Sequence, residues 1–286
     1  MQTFLPYPDF SDSVATLDQA RLGKQRVEAL QLLRAILLPS YGWQRHPVVG
    51  MWRGYLVGLA KYGVTATDAW IARGHSDTVR PLIVEFAPEV DRLTQADLAA
   101  AGQLPPWLGD EALHRSHRSN LIAKAPEFYR PQFPGTPEDL PYVWPVQHAE
   151  VAASTRPEGG GPVLEVIRVR TAGELEECRQ RGRLTFGERS PSGRDTATWR
   201  AQIARFAELP PFTVVGVLLG NSATLALAEV TGPLYAVEDA EGLPTLARNA
   251  EFRGVLARSA VRVPATLQNP RSVFSVELVE PVMPVL

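Results

Sequence analysis

The chain has 286 residues, long enough for two domains, and its 45% hydrophobic and 21% charged residues are the balance of an ordinary globular protein. A formal net charge of −2 excludes bulk basicity, so a nucleic-acid binder of this composition must gather its cations on one face. The single cysteine, Cys178, excludes an intrachain disulfide framework, suits a reducing compartment and reads as a packed small hydrophobe rather than a nucleophile.

The N-terminus lacks the basic start and apolar run of a signal peptide, and the longest apolar run, Phe212 to Leu219, is too short to span a bilayer. The expectation is a soluble, cytoplasmic protein. In chain order, Ser13 to Leu37 predicts a long helix capped by Asp12 or Ser13. Further helices are expected over Pro47 to Tyr62 and Thr67 to Arg73, with an apolar segment over Thr78 to Ala87. Leu93 to Ala101 is a short helix stopped by Gly102, and Asp110 to Lys124 a longer one with Asp110 as cap. Phe128 to Pro145, rich in proline and aromatics, predicts irregular structure wrapped over the helices.

A Gly-rich break at Ala152 to Pro162 separates this helical half from one of alternating β-branched runs. There, Val163 to Arg170, Phe212 to Leu219, Ala223 to Val230 and Ser272 to Val279 read as strands, the middle two joined at Gly220-Asn221-Ser222. Ala172 to Arg181 and Thr196 to Ala207 read as short helices.

Candidate functional residues concentrate in the first half. Leu113-His114-Arg115-Ser116-His117-Arg118-Ser119-Asn120-Leu121 offers donors of several shapes on one helix, suited to phosphate oxygens and base edges. His114, His117 and Asp110 lack a further ligand at a recognisable spacing, so a phosphate- or base-contacting pair is preferred to a metal site. On the first helix, Leu17, Arg21, Lys24 and Glu28 share a stripe, either as a solvated ion-pair ladder or as part of a site. Arg26 projects into the apolar arc and needs a carboxylate, a helix C-terminus or a ligand as partner. His46, before Pro47 and near Arg53, sits at a helix start as a cap or a phosphate contact.

Three segments carry a resemblance: Leu22-Gly23-Lys24-Gln25-Arg26-Val27-Glu28, Pro106-Trp107-Leu108-Gly109-Asp110-Glu111 and Pro141-Tyr142-Val143-Trp144-Pro145. With Arg21, His46 and Arg73-Gly74 they make residues 1 to 146 similar to the pyrimidine-dimer DNA glycosylase family, the endonuclease V-like enzymes. The resemblance implies a cofactor-free glycosylase and abasic-site lyase in which the N-terminal amine attacks C1′ and forms a Schiff base. α-Amines ionise near pH 8, about a unit above neutrality, so a useful neutral fraction is available. Gln2 is too bulky for usual methionine removal, which makes Met1 the expected nucleophile. The family's catalytic glutamate precedes the Arg-Val pair, where this chain has Leu22 and Gly23, and Glu28 is the candidate substitute.

In the second half, Ala226 to Tyr235 and Ser272 to Val276 resemble PUA-like, EVE-type modules that accept a flipped modified base. That resemblance makes Phe186, Trp199 and Tyr235 either pocket walls or core packing.

The expected fold class is α+β: an all-α glycosylase-like domain over 1–148, a linker over 149–162 and a small PUA-like β-barrel over 163–286. The expected function is a DNA glycosylase, with lyase chemistry through Met1 and Glu28, acting on double-stranded DNA with damaged or modified bases. The alternative is a non-catalytic reader of modified nucleic acid. Arg21, Lys24, Arg26, His46, Arg53, His114, His117, Arg118 and Lys124 are the expected DNA contacts, and neither cofactor nor metal is expected.

Overall fold

The computed structural model describes residues 1–38, 41–145, 160–187, 196–238, 242 and 244–282. Two compact units divide the chain, Met1–Glu158 and Gly159–Leu286. Of the expected linker, residues 149–159 lie outside the described residues.

The expected first helix is two helices, α1 (Phe10–Ala15) and α2 (Gln19–Leu37). Asp9 caps the first and Asp18 the second, each accepting a first-turn backbone N–H. The break between them is sealed by Arg73, whose guanidinium donates to the carbonyls of Val14, Ala15 and Leu17. α2 buries Leu22, Gln25, Glu28, Ala29, Leu32 and Leu33, a stripe at helical spacing that includes two polar residues.

Pro47 to Tyr62 is likewise split, into α3 (Pro47–Trp52) and the start of α4 (Leu56–Ala72). Gly54, at φ +87°, takes the left-handed conformation that breaks the run. α4 continues through Thr67, so the expected third helix is its end, and it packs against α2. The close approach depends on Gly23: a Cβ there would stand 2.9 Å from the Trp70 ring.

Among the described residues the unit's further α-helices are α5 (Arg80–Val84), α6 (Gln95–Ala100), α7 (Glu111–Lys124) and α8 (Pro126–Tyr129). α6 starts in a capping box between Thr94 and Asp97, and α7 is capped by Asp110 as its sequence predicts. Residues 130–145 follow as turns and extended chain. Among the described residues, no helix is long and apolar enough to cross a membrane.

The second unit is a six-stranded mixed sheet with strands β1 (Val163–Val169), β2 (Arg183–Gly187), β3 (Val214–Leu219), β4 (Thr224–Glu238), β5 (Pro244–Ala257) and β6 (Val273–Glu277). Its order is β2-β5-β4-β3-β1-β6, with β1 and β3 parallel and the other pairs antiparallel. β2 and β6 are opposite edges, so the expected closed barrel is not formed.

Side-chain alternation explains the openness. Ile167, Val169, Val215 and Val217 face one cluster with Trp199 and Phe206, while Leu164, Val166, Leu218 and Phe274 face another with Val261 and Leu267. Both faces are covered by packing, which satisfies the sheet without closure. Helices α9 (Ala172–Arg181) and α10 (Ala197–Ala207) take Thr171 and Thr196 as N-caps. Cys178 is buried against Thr185, and burial raises its thiol pKa, as befits a packed side chain.

Candidate active site

The N-terminal segment enters the first unit as buried chain outside any helix or strand, Gln2 to Pro6 all lying inside. Its backbone groups therefore need other partners, and side chains of α2, α4 and α7 supply them. Gln25 of α2 accepts the Phe4 N–H at 2.8 Å and donates to the Gln2 carbonyl at 2.8 Å. Tyr62 of α4 donates to the Phe4 carbonyl at 3.0 Å, and Trp52 of α3 donates to the Thr3 hydroxyl at 3.0 Å.

α7 holds Leu5 from both sides. The Leu5 N–H donates to Nδ1 of His117 at 2.9 Å, and Nδ1 of His114 lies 2.7 Å from the Leu5 carbonyl. The Gly109 N–H donates to Nε2 of His114 at 3.0 Å, so His114 carries its proton on Nδ1 and gives it to Leu5. His117, accepting at Nδ1, carries its proton on Nε2. Both rings are held neutral. Burial lowers the pKa of His114, and burial together with the neighbouring His114 pushes His117 down to about 3.

This clamp delivers the Met1 amine to Glu28, with the nitrogen 3.8 Å from Oε1. The same carboxylate accepts the Gln2 N–H at 3.2 Å and the Gln25 side-chain N–H at 3.1 Å, and lies 3.5 Å from Nζ of Lys24. Glu28 is only 6% exposed, and these two donors and two cations offset the desolvation of its charge. The amine and Glu28 open onto a cleft of about 440 Å³ also lined by Arg21, Lys24, Lys124 and Tyr142. Burial and then the charge of Glu28 push the Tyr142 hydroxyl up to about 12, so it stays a phenol.

His46 belongs to the same neighbourhood. Its Nδ1 accepts the Val48 N–H at 3.3 Å as the cap of α3, and its pKa is lowered by desolvation and by the N-terminal amine, against Glu28. The whole arrangement presents an amine and a carboxylate at the base of a cleft with a cationic rim, which suits an anionic substrate carrying an electrophilic carbon.

Residues 1–80 match the family described as pyrimidine dimer DNA glycosylase. The matched segment contains Met1, Gln25, Glu28 and His46, while Lys124, Tyr142 and the histidines of α7 come from beyond it. No curated protein matches the chain. Among solved structures, the YTH domain of the Zygosaccharomyces rouxii MRB1 protein in complex with N6-methyladenosine RNA is 14% identical, covering 42% of this chain and 82% of its own, at a TM-score of 0.26. A likeness at that score carries no argument here.

The structure gives several of the expected DNA contacts partners within the unit. His114 and His117 are buried with their Nδ1 atoms committed to Leu5, so neither presents a ring to a duplex. Ser116, Ser119 and Asn120 of the same helix hold residues 140–143: their side chains bond the backbone of Val143 and Leu140. Arg118 donates to the Pro6 carbonyl and pairs with Glu111. Arg26 pairs with the buried Asp77 and lies 4.8 Å over the Trp70 ring, the carboxylate option among those open to it. Arg53 donates to the Gln44 carbonyl and braces a turn.

Arg21, Lys24 and Lys124 do line the cleft, Arg21 also donating to Asp18 and to the Lys124 carbonyl. In the second unit, Phe186 and Trp199 stack at 4.8 Å inside the core. Tyr235 donates to Asn249 at 2.8 Å on the β4–β5 arm, apart from that stack. The sequence reading missed Gln25, Tyr62 and Tyr142. Gln25 had a signal: an amide in an apolar stripe, three residues before Glu28, needs buried partners.

Proposed function

We propose that the first unit is a DNA glycosylase that uses the α-amine of Met1 as its nucleophile and Glu28 as its proton-handling group. The observation that carries this is the 3.8 Å approach of the amine to the Glu28 carboxylate, at the base of a cleft rimmed by Arg21, Lys24 and Lys124. The family match over residues 1–80 supports it, since both reacting groups fall inside the matched segment.

In this reading a nucleotide turned out of the duplex places its sugar C1′ against the neutral amine. The amine lone pair forms a C1′–N bond, the glycosidic bond breaks, and its electrons leave with the base, which takes up a proton. Glu28 takes the amine proton and returns it to O4′ as the C1′–O4′ bond breaks and the sugar ring opens, which leaves a protonated imine and an ionised carboxylate. Removal of a C2′ proton then expels the 3′-phosphate by β-elimination, with Glu28 the nearest base. Lys24, 3.5 Å from Glu28, pairs with that carboxylate and offers its exposed side to phosphate. The substrate is double-stranded DNA carrying a damaged or modified base.

Borohydride reduction in the presence of abasic-site and damaged-base duplexes tests this. The expected result is a covalent adduct mapped by mass spectrometry to the Met1 peptide. DNA binding with no adduct on any duplex would overturn the enzymatic reading in favour of a non-catalytic reader, and an adduct on a lysine would overturn the role of Met1.

A further inference from the structure

We propose that Trp43, backed by His46 and Trp144, is a stacking surface for a nucleobase of the DNA whose sugar occupies the Met1 cleft. This rests on the reading of that cleft as a DNA site.

Trp43 is 62% exposed, at odds with its size, and sits at φ +70°. A bulky residue is rarely left in that conformation unless the surrounding turn imposes it. Here the turn is braced on each side. The His46 N–H donates to the Trp43 carbonyl at 2.8 Å, Gln44 donates to the Leu38 carbonyl at 2.8 Å, and Arg53 donates to the Gln44 carbonyl at 2.9 Å. The backbone is fixed while the indole stands in solvent.

The indole is also joined to the cleft. Trp43 meets His46 edge-on at 5.9 Å, His46 meets Trp144 edge-on at 6.0 Å, and Trp144 lies 5.3 Å from Tyr142, a cleft wall. An aromatic row therefore runs from the amine and Glu28 out to an exposed ring. Charge decides what covers that ring. Lys24, Lys124 and Arg21 line the cleft and Arg45 is exposed two residues from Trp43, so the partner is a polyanion bearing flat apolar faces. Unstacked nucleobases on a phosphate chain meet both conditions, and base stacking on indole tolerates any base identity. Turning one nucleotide out of a duplex leaves its neighbours and its opposite base without a stacking partner, and Trp43 is placed to supply one.

The experiment uses the full chain, its Trp43→Ala and Trp43→Phe variants, and a duplex holding a stable tetrahydrofuran abasic analogue, with 2-aminopurine placed in turn opposite and on either side of it. The expected result is affinity for this duplex reduced on the order of 10-fold by alanine and largely restored by phenylalanine. At one of the three positions, 2-aminopurine emission should be quenched on binding by the native and phenylalanine proteins but not by the alanine variant. Equal affinity and equal emission for native and alanine proteins would overturn the proposal. Because the side chain is exposed, its truncation leaves the core intact, and matched thermal melts check this. The borohydride adduct of the native protein is read in parallel. Its absence alongside Trp43-dependent quenching would overturn the amine chemistry and leave the stacking surface standing.

Discussion

His117 accepts the backbone N–H of Leu5 at 2.9 Å, a bond between residues 112 positions apart that ties α7 to the segment carrying Met1. The helix whose composition suggested a DNA grip holds the N-terminal segment in place. The consequences can be measured.

Acid should loosen the clamp. His117 falls from the ordinary 6.5 to about 3 in the folded state, so the unfolded chain binds more protons between those values. The stabilisation from a neutral buried ring is thus fully present above about pH 6.5 and is lost as pH falls toward 3, with His114 shifted in the same direction. At pH 5 the His117 share of the loss is about 2 kcal/mol. Urea melts of the protein between pH 7.5 and 5 check this. His117→Gln, which keeps an acceptor for Leu5 but does not titrate, should flatten the slope.

Glu28→Gln should separate chemistry from binding. The amide keeps the shape and an acceptor for the Gln2 N–H but cannot take a proton. Adduct formation with abasic DNA is expected to slow on the order of 100-fold. Affinity for the same duplex should hold or rise, because a negative charge beside the phosphates is removed. Unchanged trapping rates would remove Glu28 from the mechanism.

Gln25→Ala should act on both stability and placement. It strips an acceptor from the Phe4 N–H and donors from the Gln2 carbonyl and Glu28, all buried. A loss of about 3 kcal/mol is expected from the groups left unpaired. At temperatures where the variant remains folded, trapping at Met1 should still be slower than in the native protein, since the segment is no longer held at its second residue.

Arg26 and Lys24, two residues apart on α2, should respond oppositely. Arg26→Ala leaves Asp77, whose side chain is 1% exposed, without its cation and held only by the N–H groups of Val79 and Arg80, and a destabilisation of about 3 kcal/mol is expected with little change in salt dependence. Lys24→Ala should leave the melt nearly unchanged and lower the salt slope of DNA binding by about 1. Fluorescence titrations across a salt series distinguish the two.

Much of the local structure was legible from residues alone. The cap Asp110 and the stop at Gly102 operate on bonds a few residues long, and those elements occur where the pattern places them. The hairpin at Gly220 was legible for the same reason, with β3 and β4 pairing across it. β5 was not, because Arg248 interrupts its apolar alternation. It is buried only because its guanidinium donates to the carbonyls of Ala207 and Gly232, residues from other parts of the unit.

By itself the sequence determined a helical half and a half of alternating β-branched runs, some of the local caps and turns, and a glutamate at stripe spacing from Arg21 and Lys24. Only the tertiary structure decided that Glu28 faces the amine, that Gln25 lies beneath it, and that His114 and His117 point inward. The physical reason is that a polar side chain has the same sequence signature whether it binds water, a ligand or distant backbone. Helical period assigns it a face, but only packing brings up the unpaired N–H and C=O groups that make an interior position favourable.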